Sequence, residues 1–344
     1  MAIFGDGFGY MVNWNSDILS ILRRAGLLEL GPPPPMEPLT GGVSSDIWHV
    51  RIGHNEYCVK RALSKLKVKA DWRAPVERSH YEAGWMDVVS RVLPNAVPPL
   101  VHVDETGSAI VMHYLDPARF PLWKAQLAEG EIDCAFAAAV GRAIGVIHRE
   151  TAGKASVAAR FRSDEIFHSI RLEPYLLAPA ARHRSVTRQL KALARRTAQT
   201  QKALVHGDVS PKNILKGPHG PVFLDAECAW YGDPAFDLAF CLNHLLLKGV
   251  WKRQWLEACL DAFNALYGAY LPLVTFEHPD DLEARAASLL AGLLLGRIDG
   301  KSPVEYITEP SDKNRVRGIA LALLVDPPER LARYPEIWLQ EMTS

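Results

Sequence analysis

The chain has 344 residues, too many for one small hydrophobic core and enough for two lobes. Its 39 Lys and Arg balance 39 Asp and Glu, and no run of five basic residues occurs, which argues against nucleic-acid binding. The most apolar stretch, residues 286–295, is far shorter than the roughly 20 residues that span a bilayer. No signal-peptide pattern opens the sequence, and five scattered cysteines indicate reduced thiols, so we expect a cytoplasmic protein without a membrane segment.

The amino-terminal segment predicts a helix and then a stiff connector. Ser16 can cap a helix through about Leu28, because apolar residues recur along one side of this stretch. Four prolines at residues 32–35 then separate this helix from the first predicted strand. Residues 39–61 predict two or three strands, because a turn rich in Gly and Ser and a hairpin turn at residues 53–56 interrupt them.

A glycine-rich turn and a strand lysine together suggest phosphate binding. Gly41, Gly42 and Ser44 stand in the turn, where glycines let backbone N–H groups approach phosphates, although such a turn is also ordinary in a hairpin. Lys60 lies on the next strand, where a kinase places the lysine that contacts nucleotide phosphates. If Glu82 on the next helix pairs with Lys60, the lysine points at the phosphates; otherwise Glu82 is an exposed helix residue.

That helix is predicted over residues 75–92, and prolines end it. Two further strands are predicted at residues 100–103 and 109–115, and the second would lead into a hinge between two lobes. The hinge residues that would present backbone groups to an adenine ring are Met112, His113 and Leu115. We place the lobe boundary near Asp116, so the nucleotide-binding lobe is predicted over residues 1–115, with the helix and connector in residues 1–38.

The remainder, residues 116–344, predicts a mainly helical lobe. The predicted helices are residues 132–150, 163–177, 185–203, 236–247, 251–270, 280–295 and 313–324. These elements predict the α+β fold class, with an antiparallel sheet and a helix in the first lobe and helices in the second, which carries the catalytic loop and the substrate site.

The centre of the second lobe is a segment with the spacing of a kinase catalytic loop. His206, Asp208 and Asn213 have the order His-x-Asp-x-x-x-x-Asn, in which the Asp receives the substrate hydroxyl proton and the Asn holds Mg²⁺. Asp225 ends the next apolar run, where a kinase places its other metal-binding Asp. We interpret His206 as a structural residue of the loop rather than a proton carrier.

The combined order of these parts is that of an ATP-dependent phosphotransferase with a two-lobed, protein-kinase-like fold. Phosphoryl transfer depends mostly on positioning and charge neutralisation. Mg²⁺ prefers oxygen ligands and keeps several waters, so Asn213 and Asp225 suffice as its protein ligands. No GxxxxGK[ST] motif occurs, which excludes a P-loop, and the expected cofactors are ATP and Mg²⁺.

The chain resembles the aminoglycoside phosphotransferase and choline kinase-like superfamily of small-molecule kinases. The resemblance rests on residues 206–215, 224–225 and 232–239 and covers about residues 39–247. It implies a protein-kinase-like fold that uses ATP and Mg²⁺ to phosphorylate a hydroxyl group of a small molecule.

Residue roles are implied by the same resemblance, motif by motif. It implies that Asp208 is the catalytic base and that Asn213 and Asp225 bind Mg²⁺. It likewise implies that Lys60 and Glu82 orient the phosphates. Asp237 matches the family's Asp at the start of the next helix, where a carboxylate can accept backbone N–H groups and brace the catalytic loop.

Two segments depart from the expected patterns. Ser44-Ser45-Asp46 stands where many relatives have Ser-Asn after the glycines. Asp225 precedes Ala-Glu rather than Phe-Gly, which argues against a protein kinase. Glu227 is a candidate for a further metal, supporting or substrate contact.

The substrate is less readable than the reaction. Residues 167–175 look like a segment of methylthioribose kinases, which makes Arg171 and Tyr175 candidates for substrate contact. Those kinases differ at the position of Asn213, so that substrate is not assigned. Arg297 and Asp299 lie in a predicted polar loop over residues 296–306 and either reach the substrate or are solvated charges.

The preferred hypothesis is a kinase that phosphorylates a sugar or a sugar-like alcohol. One alternative is an aminoglycoside antibiotic kinase that confers resistance, although the sequence shows no clear cluster of acidic residues that would bind a polycation. Another is a catalytically silent nucleotide-binding regulatory module, against which the intact set of Asp208, Asn213 and Asp225 argues. The expected partner is a small molecule with a hydroxyl group, not a nucleic acid or a membrane.

Overall fold

The structure is a computed structural model that describes residues 8–39, 45–63 and 75–343, with side chains described from residue 16 to residue 342. The chain forms two compact units. The first unit comprises Met1–Asp87 and Pro98–Leu115, and the second comprises Val88–Val97 and Asp116–Ser344. Asp116, near which the sequence places the lobe boundary, opens the long stretch of the second unit.

The first unit contains an antiparallel sheet and helical segments. Its described helices are α1 (Phe8–Arg24) and α2 (Arg78–Val92), the latter running on into the second unit. Its described strands are β1 (Met36–Pro38), β2 (Ser45–Ile52), β3 (Asn55–Ala62), β4 (Leu100–Asp104) and β5 (Ala109–His113). They pair in the order β1-β2-β3-β5-β4, with every neighbour antiparallel.

Helix α1 packs its apolar side on this sheet. Ile18, Ile21 and Leu22 are spaced by three and four residues, and they are buried with Trp48 and Val50 of β2. The helix ends at Arg24, four residues before the predicted end. Gly26 then adopts the left-handed conformation with φ 69°, which terminates helices because only glycine adopts it without strain.

The second unit is mainly helical. Its described α-helices are α3 (Trp123–Glu129), α4 (Cys134–Thr151), α5 (Ala155–Arg160), α6 (Asp164–Phe167), α7 (Ala178–Arg182), α8 (Thr187–Gln199), α9 (Ala235–Trp251), α10 (Leu256–Tyr270), α11 (Pro279–Asp299), α12 (Pro310–Val325) and α13 (Arg333–Thr343). Helix α9 is buried along nearly its whole length and packs against α10 and α11, because its sequence is apolar on all sides. Helices α9, α11 and α12 extend beyond their predicted ends at both termini.

One predicted helix has a different helix type in the structure. The sequence predicts a single α-helix over residues 163–177, whereas α6 gives way to a π-helix over His168–Leu177. Pro174 lies inside the π-helix and has no backbone N–H, so it cannot donate to the carbonyl of Ile170 as an α-helical residue would. The carbonyl of Ile170 also accepts a hydrogen bond from the Arg171 guanidinium, at 2.6 Å.

Four short strands of the second unit carry the catalytic segment. They are β6 (Ala203–Val205), β7 (Ile214–Gly217), β8 (Gly220–Phe223) and β9 (Trp230–Gly232). Strand β6 pairs with β9, and β7 pairs with β8, both antiparallel. The His-x-Asp-x-x-x-x-Asn motif therefore fills the connection between β6 and β7, and its last three residues, Pro211–Asn213, form a 3₁₀ turn.

All five cysteines are free thiols. Among the residues that the structure describes, no helix combines the length and the apolar character needed to cross a membrane.

Candidate active site

The first unit contains a buried ion pair between a strand and a helix. The Nζ atom of Lys60 on β3 lies 2.8 and 2.7 Å from the two carboxylate oxygens of Glu82 on α2. Lys60 is 6% exposed and Glu82 is 3% exposed, so the two opposite charges compensate each other away from solvent. The sequence left open whether Glu82 pairs with Lys60 or is an exposed helix residue, and in the structure the two residues are paired.

The other residues predicted to contact the nucleotide lie in the glycine-rich turn and in the hinge. Gly41, Gly42 and Ser44 lie outside the described residues. The backbone N–H of His113 donates to Pro99, and Met112 lies within β5 between Cys58 and Leu100 of the neighbouring strands.

Part of the predicted hinge lies within the sheet. The His113 N–H donates to Pro99 and so is not free for an adenine ring, and the other backbone contacts predicted for Met112, His113 and Leu115 stay predictions. The Leu115 N–H makes no backbone hydrogen bond within the described part of the chain, so it stays available.

In the second unit, the Asp237 carboxylate holds the start of the catalytic loop. It accepts the backbone N–H groups of His206 at 2.7 Å and Gly207 at 2.8 Å. It also lies 3.2 Å from Nε2 of His148, whose Nδ1 is 2.9 Å from the Tyr270 hydroxyl. All these groups are buried, so the carboxylate takes the place of water as the acceptor for two main-chain donors.

The side chain of His206 links the loop to the metal-binding segment. Its Nδ1 accepts the backbone N–H of Asp208 at 3.1 Å, so Nε2 carries the proton and donates to the Leu224 carbonyl at 3.1 Å. Burial lowers the pKa of His206 and outweighs the opposing negative charges, which keeps the ring neutral. This geometry gives His206 the structural role that the sequence predicts.

Gly207 makes the sharp turn between these two contacts. Its φ is 80°, and a Cβ placed there would lie 2.8 Å from both the Cβ and the carbonyl oxygen of Cys228. Both the left-handed backbone and the close approach therefore require glycine.

The Asp208 carboxylate lies between two cations. Its Oδ2 is 3.0 Å from the Arg171 guanidinium and 3.0 Å from Nζ of Lys212, while Ser210 is 3.4 Å from its Oδ1. Burial alone would raise the pKa of Asp208, but Lys212 and Arg171 outweigh it and hold the pKa well below its usual range. Asp208 is therefore ionised at physiological pH and can orient and polarise a hydroxyl group.

Arg171 is fixed from three directions. Nε donates to the Gly207 carbonyl, NH1 donates to the Ile170 carbonyl, and NH2 pairs with Asp208. Its guanidinium also lies over the Tyr175 ring, 5.9 Å from the centroid. The π-helix thus presents Arg171 to the catalytic loop in one orientation.

Asn213 and Asp225 supply oxygen atoms that suit Mg²⁺. The Asn213 amide nitrogen donates to the Asp208 carbonyl at 3.1 Å, which turns its oxygen away from that contact. The backbone N–H of Leu224 donates to the Asn213 carbonyl at 2.9 Å, so the next residue, Asp225, emerges beside Asn213. Asp225 adopts a left-handed φ of 66°, which Asp tolerates better than most residues.

This donor set fits a magnesium ion that keeps water and phosphate ligands. Within the described residues, no group of three His, Cys, Asp or Glu side chains is placed to hold a metal. The residues that would hold Mg²⁺ are therefore one amide and one carboxylate, completed by the nucleotide.

The predicted substrate residues separate into two kinds. Asp299 ends α11 rather than lying in a loop, and its carboxylate forms a two-pronged salt bridge with Arg317 and a contact of 2.8 Å with His183. Asp299 therefore connects helices, and the predicted polar loop is wrong at this residue.

The remaining candidates lie in the surroundings of Arg171. Arg297 also lies in α11, is buried, and donates to the Tyr175 hydroxyl at 3.2 Å, and Tyr175 in turn contacts Arg171. Glu227 is half-buried two residues after Asp225.

The sequence analysis did not predict two residues that contact the catalytic loop or its supporting carboxylate. Lys212 lies inside the motif, four residues after Asp208, and that spacing is a signal for an ion pair. His148 lies 89 positions before Asp237, so no local spacing could have indicated their contact.

A family model described as the phosphotransferase enzyme family (APH) matches residues 35–289, which is well over half of the chain. The chain belongs to this family, and the resemblance seen in the sequence is confirmed. The predicted α+β class, with an antiparallel sheet and then a mainly helical region in a protein-kinase-like fold, is confirmed as well.

Individual relatives are distant. Methylthioribose kinase 1 of Oryza sativa subsp. japonica is 23% identical over 259 residues, which cover 62% of this chain and 60% of that protein. The chain thus matches less than two thirds of the length of this relative.

Two solved structures show the same fold. An ethanolamine kinase from Plasmodium vivax has a TM-score of 0.56 at 10% identity, covering 91% of this chain and 89% of its own. An amicoumacin kinase, solved in complex with AMP-PNP, Ca²⁺ and Ami, has a TM-score of 0.55 at 15% identity, covering 94% of this chain and 98% of its own.

Replacing Asp237 by Ala is expected to lower the free energy of unfolding by about 2–5 kcal/mol, because two buried N–H groups lose their acceptor. Urea denaturation monitored by circular dichroism measures this change. Asp281→Ala is the matched control, since Asp281 is exposed in the first turn of α11 and its loss should change stability by less than about 0.5 kcal/mol. Equal losses of unfolding free energy in the two variants would contradict the stabilising role of Asp237.

Replacing Arg171 by Lys is expected to lower kcat about tenfold or more, because Lys has a single nitrogen atom, whereas the three guanidinium nitrogens of Arg171 each bind a different partner. Steady-state ADP release measures kcat and KM. Arg188→Lys on an exposed position of α8 is the control and should leave both constants unchanged. An unaltered kcat for Arg171→Lys would show that the charge alone matters.

Proposed function

We propose that this protein is an ATP- and Mg²⁺-dependent kinase that transfers the γ-phosphoryl group of ATP to a hydroxyl group of a small polar molecule. The observation that carries the proposal is the arrangement of Asp208. Its carboxylate is ionised, fixed by Arg171 and Lys212, and held in a loop that Asp237 and His206 shape. Membership of the phosphotransferase enzyme family supports the same reaction class.

In this reaction the hydroxyl oxygen of the substrate attacks the γ-phosphorus, and the bond to the ADP oxygen breaks. Asp208 orients the hydroxyl and receives its proton. Its low pKa makes it a weak base before substrate binds, so proton transfer is expected late, once the hydroxyl oxygen has become acidic through bonding to phosphorus.

The other residues position the nucleotide. Lys60, held in one orientation by Glu82, contacts the phosphates of ATP. Asn213 and Asp225 would hold Mg²⁺, which would neutralise phosphate charge. The ATP analogue and Ca²⁺ in the amicoumacin kinase of the same fold support a nucleotide and a divalent ion as cofactors.

The substrate is proposed at the level of a hydroxylated small molecule. Sugars and sugar-like alcohols remain our preferred class, and a methylthioribose kinase among the relatives supports a sugar-like acceptor.

Replacing Asp208 by Asn is expected to reduce turnover by about 10²–10⁴-fold, because the amide keeps the shape but loses the charge and the proton acceptor. Coupled ADP release over a panel of sugars, amino alcohols and aminoglycosides measures turnover. Isothermal titration with Mg-ATP should show affinity within a few fold of the wild type.

Asp281→Asn, at the exposed position of α11, serves as the control and should retain full turnover. Turnover of Asp208→Asn at the wild-type rate would remove Asp208 from the mechanism. Tight Mg-ATP binding by the wild type, without ADP release for any acceptor, would favour a regulatory nucleotide-binding module.

A further inference from the structure

A line of side chains leads from Asp208 along one face of α9. Phe240, His244 and Lys248 are spaced by four residues and therefore share that face, over about 12 Å of helix. At the near end, the Phe240 ring lies 5.9 Å from the Arg171 guanidinium, which is bound to Asp208. At the far end is the ammonium of Lys248.

Lys248 is a buried cation without a counter-ion. It is 3% exposed, and within the described residues its ammonium has no hydrogen bond and no ion pair. It lies instead between two aromatic rings, 4.0 Å from the centroid of Tyr306 and 4.4 Å from that of Trp251. Ring faces compensate a desolvated ammonium only in part, so this charge favours an added anion.

His244 lies between the two ends of this face. His244 is 6% exposed and contacts the Phe240 ring, and no side-chain hydrogen bond of its imidazole occurs in the described chain. Burial, and then the charge of Arg297, lower its pKa well below the usual value, so the ring is neutral. A neutral imidazole can donate to and accept from the hydroxyl groups of a ligand.

The charges along this face are mostly positive. The ionised groups that act on His244 are Arg297, Asp208, Lys212 and Lys248, three cations and one carboxylate. Asp208 is already paired with Arg171 and Lys212, which leaves Arg297 and Lys248 without a carboxylate partner within the described residues. Glu305, a carboxylate that also acts on Lys248, is paired with Lys124.

We propose that the substrate carries an anionic group, either a carboxylate or a phosphate ester, that binds at Lys248 and Arg297 while its hydroxyl group meets Asp208. This inference rests on the proposed kinase function and names its substrate class. A hydroxylated acid gains the ion pair that Lys248 lacks, and its hydroxyl groups gain His244 as a partner. A polycationic aminoglycoside would meet like charges at the same face.

The test compares acceptors of one carbon skeleton. The anionic probes are D-gluconate and D-glucose 6-phosphate, and the counterparts are neutral D-glucose, neutral D-glucitol and cationic D-glucosamine. ADP release is expected to give a higher kcat/KM for an anionic probe than for its counterparts, and the two anionic probes distinguish a carboxylate from a phosphate. A preference for a neutral or cationic counterpart would overturn the inference and leave the kinase function standing.

A pair of variants ties the preference to one charge. Lys248→Met removes the charge, keeps an unbranched side chain one atom shorter, and should raise KM for the preferred anionic probe at least tenfold, with kcat changed far less. Lys252→Met is the matched control, because Lys252 lies over the same Trp251 ring at 4.5 Å but is half-buried. Equal KM values for wild type and Lys248→Met would contradict the assignment.

The pH dependence provides an independent readout. Burial, and then the charge of Lys124, lower the pKa of Lys248 to about 8, with Glu305, Cys259 and Lys252 acting more weakly. Because the ammonium is lost above its pKa, kcat/KM for an anionic probe should fall as the pH rises through about 8. The fall should be absent in Lys248→Met.

If no probe is phosphorylated, thermal melting tests the kinase function and the anionic substrate class separately. Failure of Mg-AMP-PNP to raise the melting temperature of the wild type would count against the kinase function itself. If Mg-AMP-PNP binds, an anionic probe should raise the melting temperature further in the wild type and not in Lys248→Met. No such difference between the two proteins would count against the anionic substrate alone.

Discussion

The Asp237 carboxylate is the contact on which the catalytic segment depends. It satisfies two consecutive main-chain N–H groups, those of His206 and Gly207, at the point where β6 ends and the loop turns away. Because Asp237 lies in the first turn of the most deeply buried helix, the loop takes its position from the core of the second unit. His148 and Tyr270 extend the same network into α4 and α10.

Electrostatics then decide the state of Asp208. A buried carboxylate would by itself favour its protonated form, but two cations within 3.0 Å reverse that preference. One of these cations, Arg171, is held by the carbonyl of Ile170 within the π-helix. A backbone irregularity thus serves the charge balance of a residue 37 positions away in the sequence.

Local sequence patterns predicted the parts of the fold and site that depend on neighbouring residues. The strand at Lys60, the helix at Glu82 and the loop from His206 to Asn213 are all indicated by periodicity and motif spacing. Pro174 signals a break in a helix, but its sequence does not distinguish a π-helix from a kink. The contacts of Arg171 with Gly207 and of Asp237 with His148 join distant segments, and their partners leave no spacing by which to find them.

The shape of the catalytic loop is set by main-chain groups. The N–H groups of His206, Gly207 and Asp208 and the carbonyls of Gly207 and Asp208 all bind partners that lie outside the Asp208 side chain. Geometry and reactivity are therefore separable in this protein. A variant silenced at Asp208 retains the contacts that form the loop, which makes it suitable for trapping an unreacted acceptor in crystals.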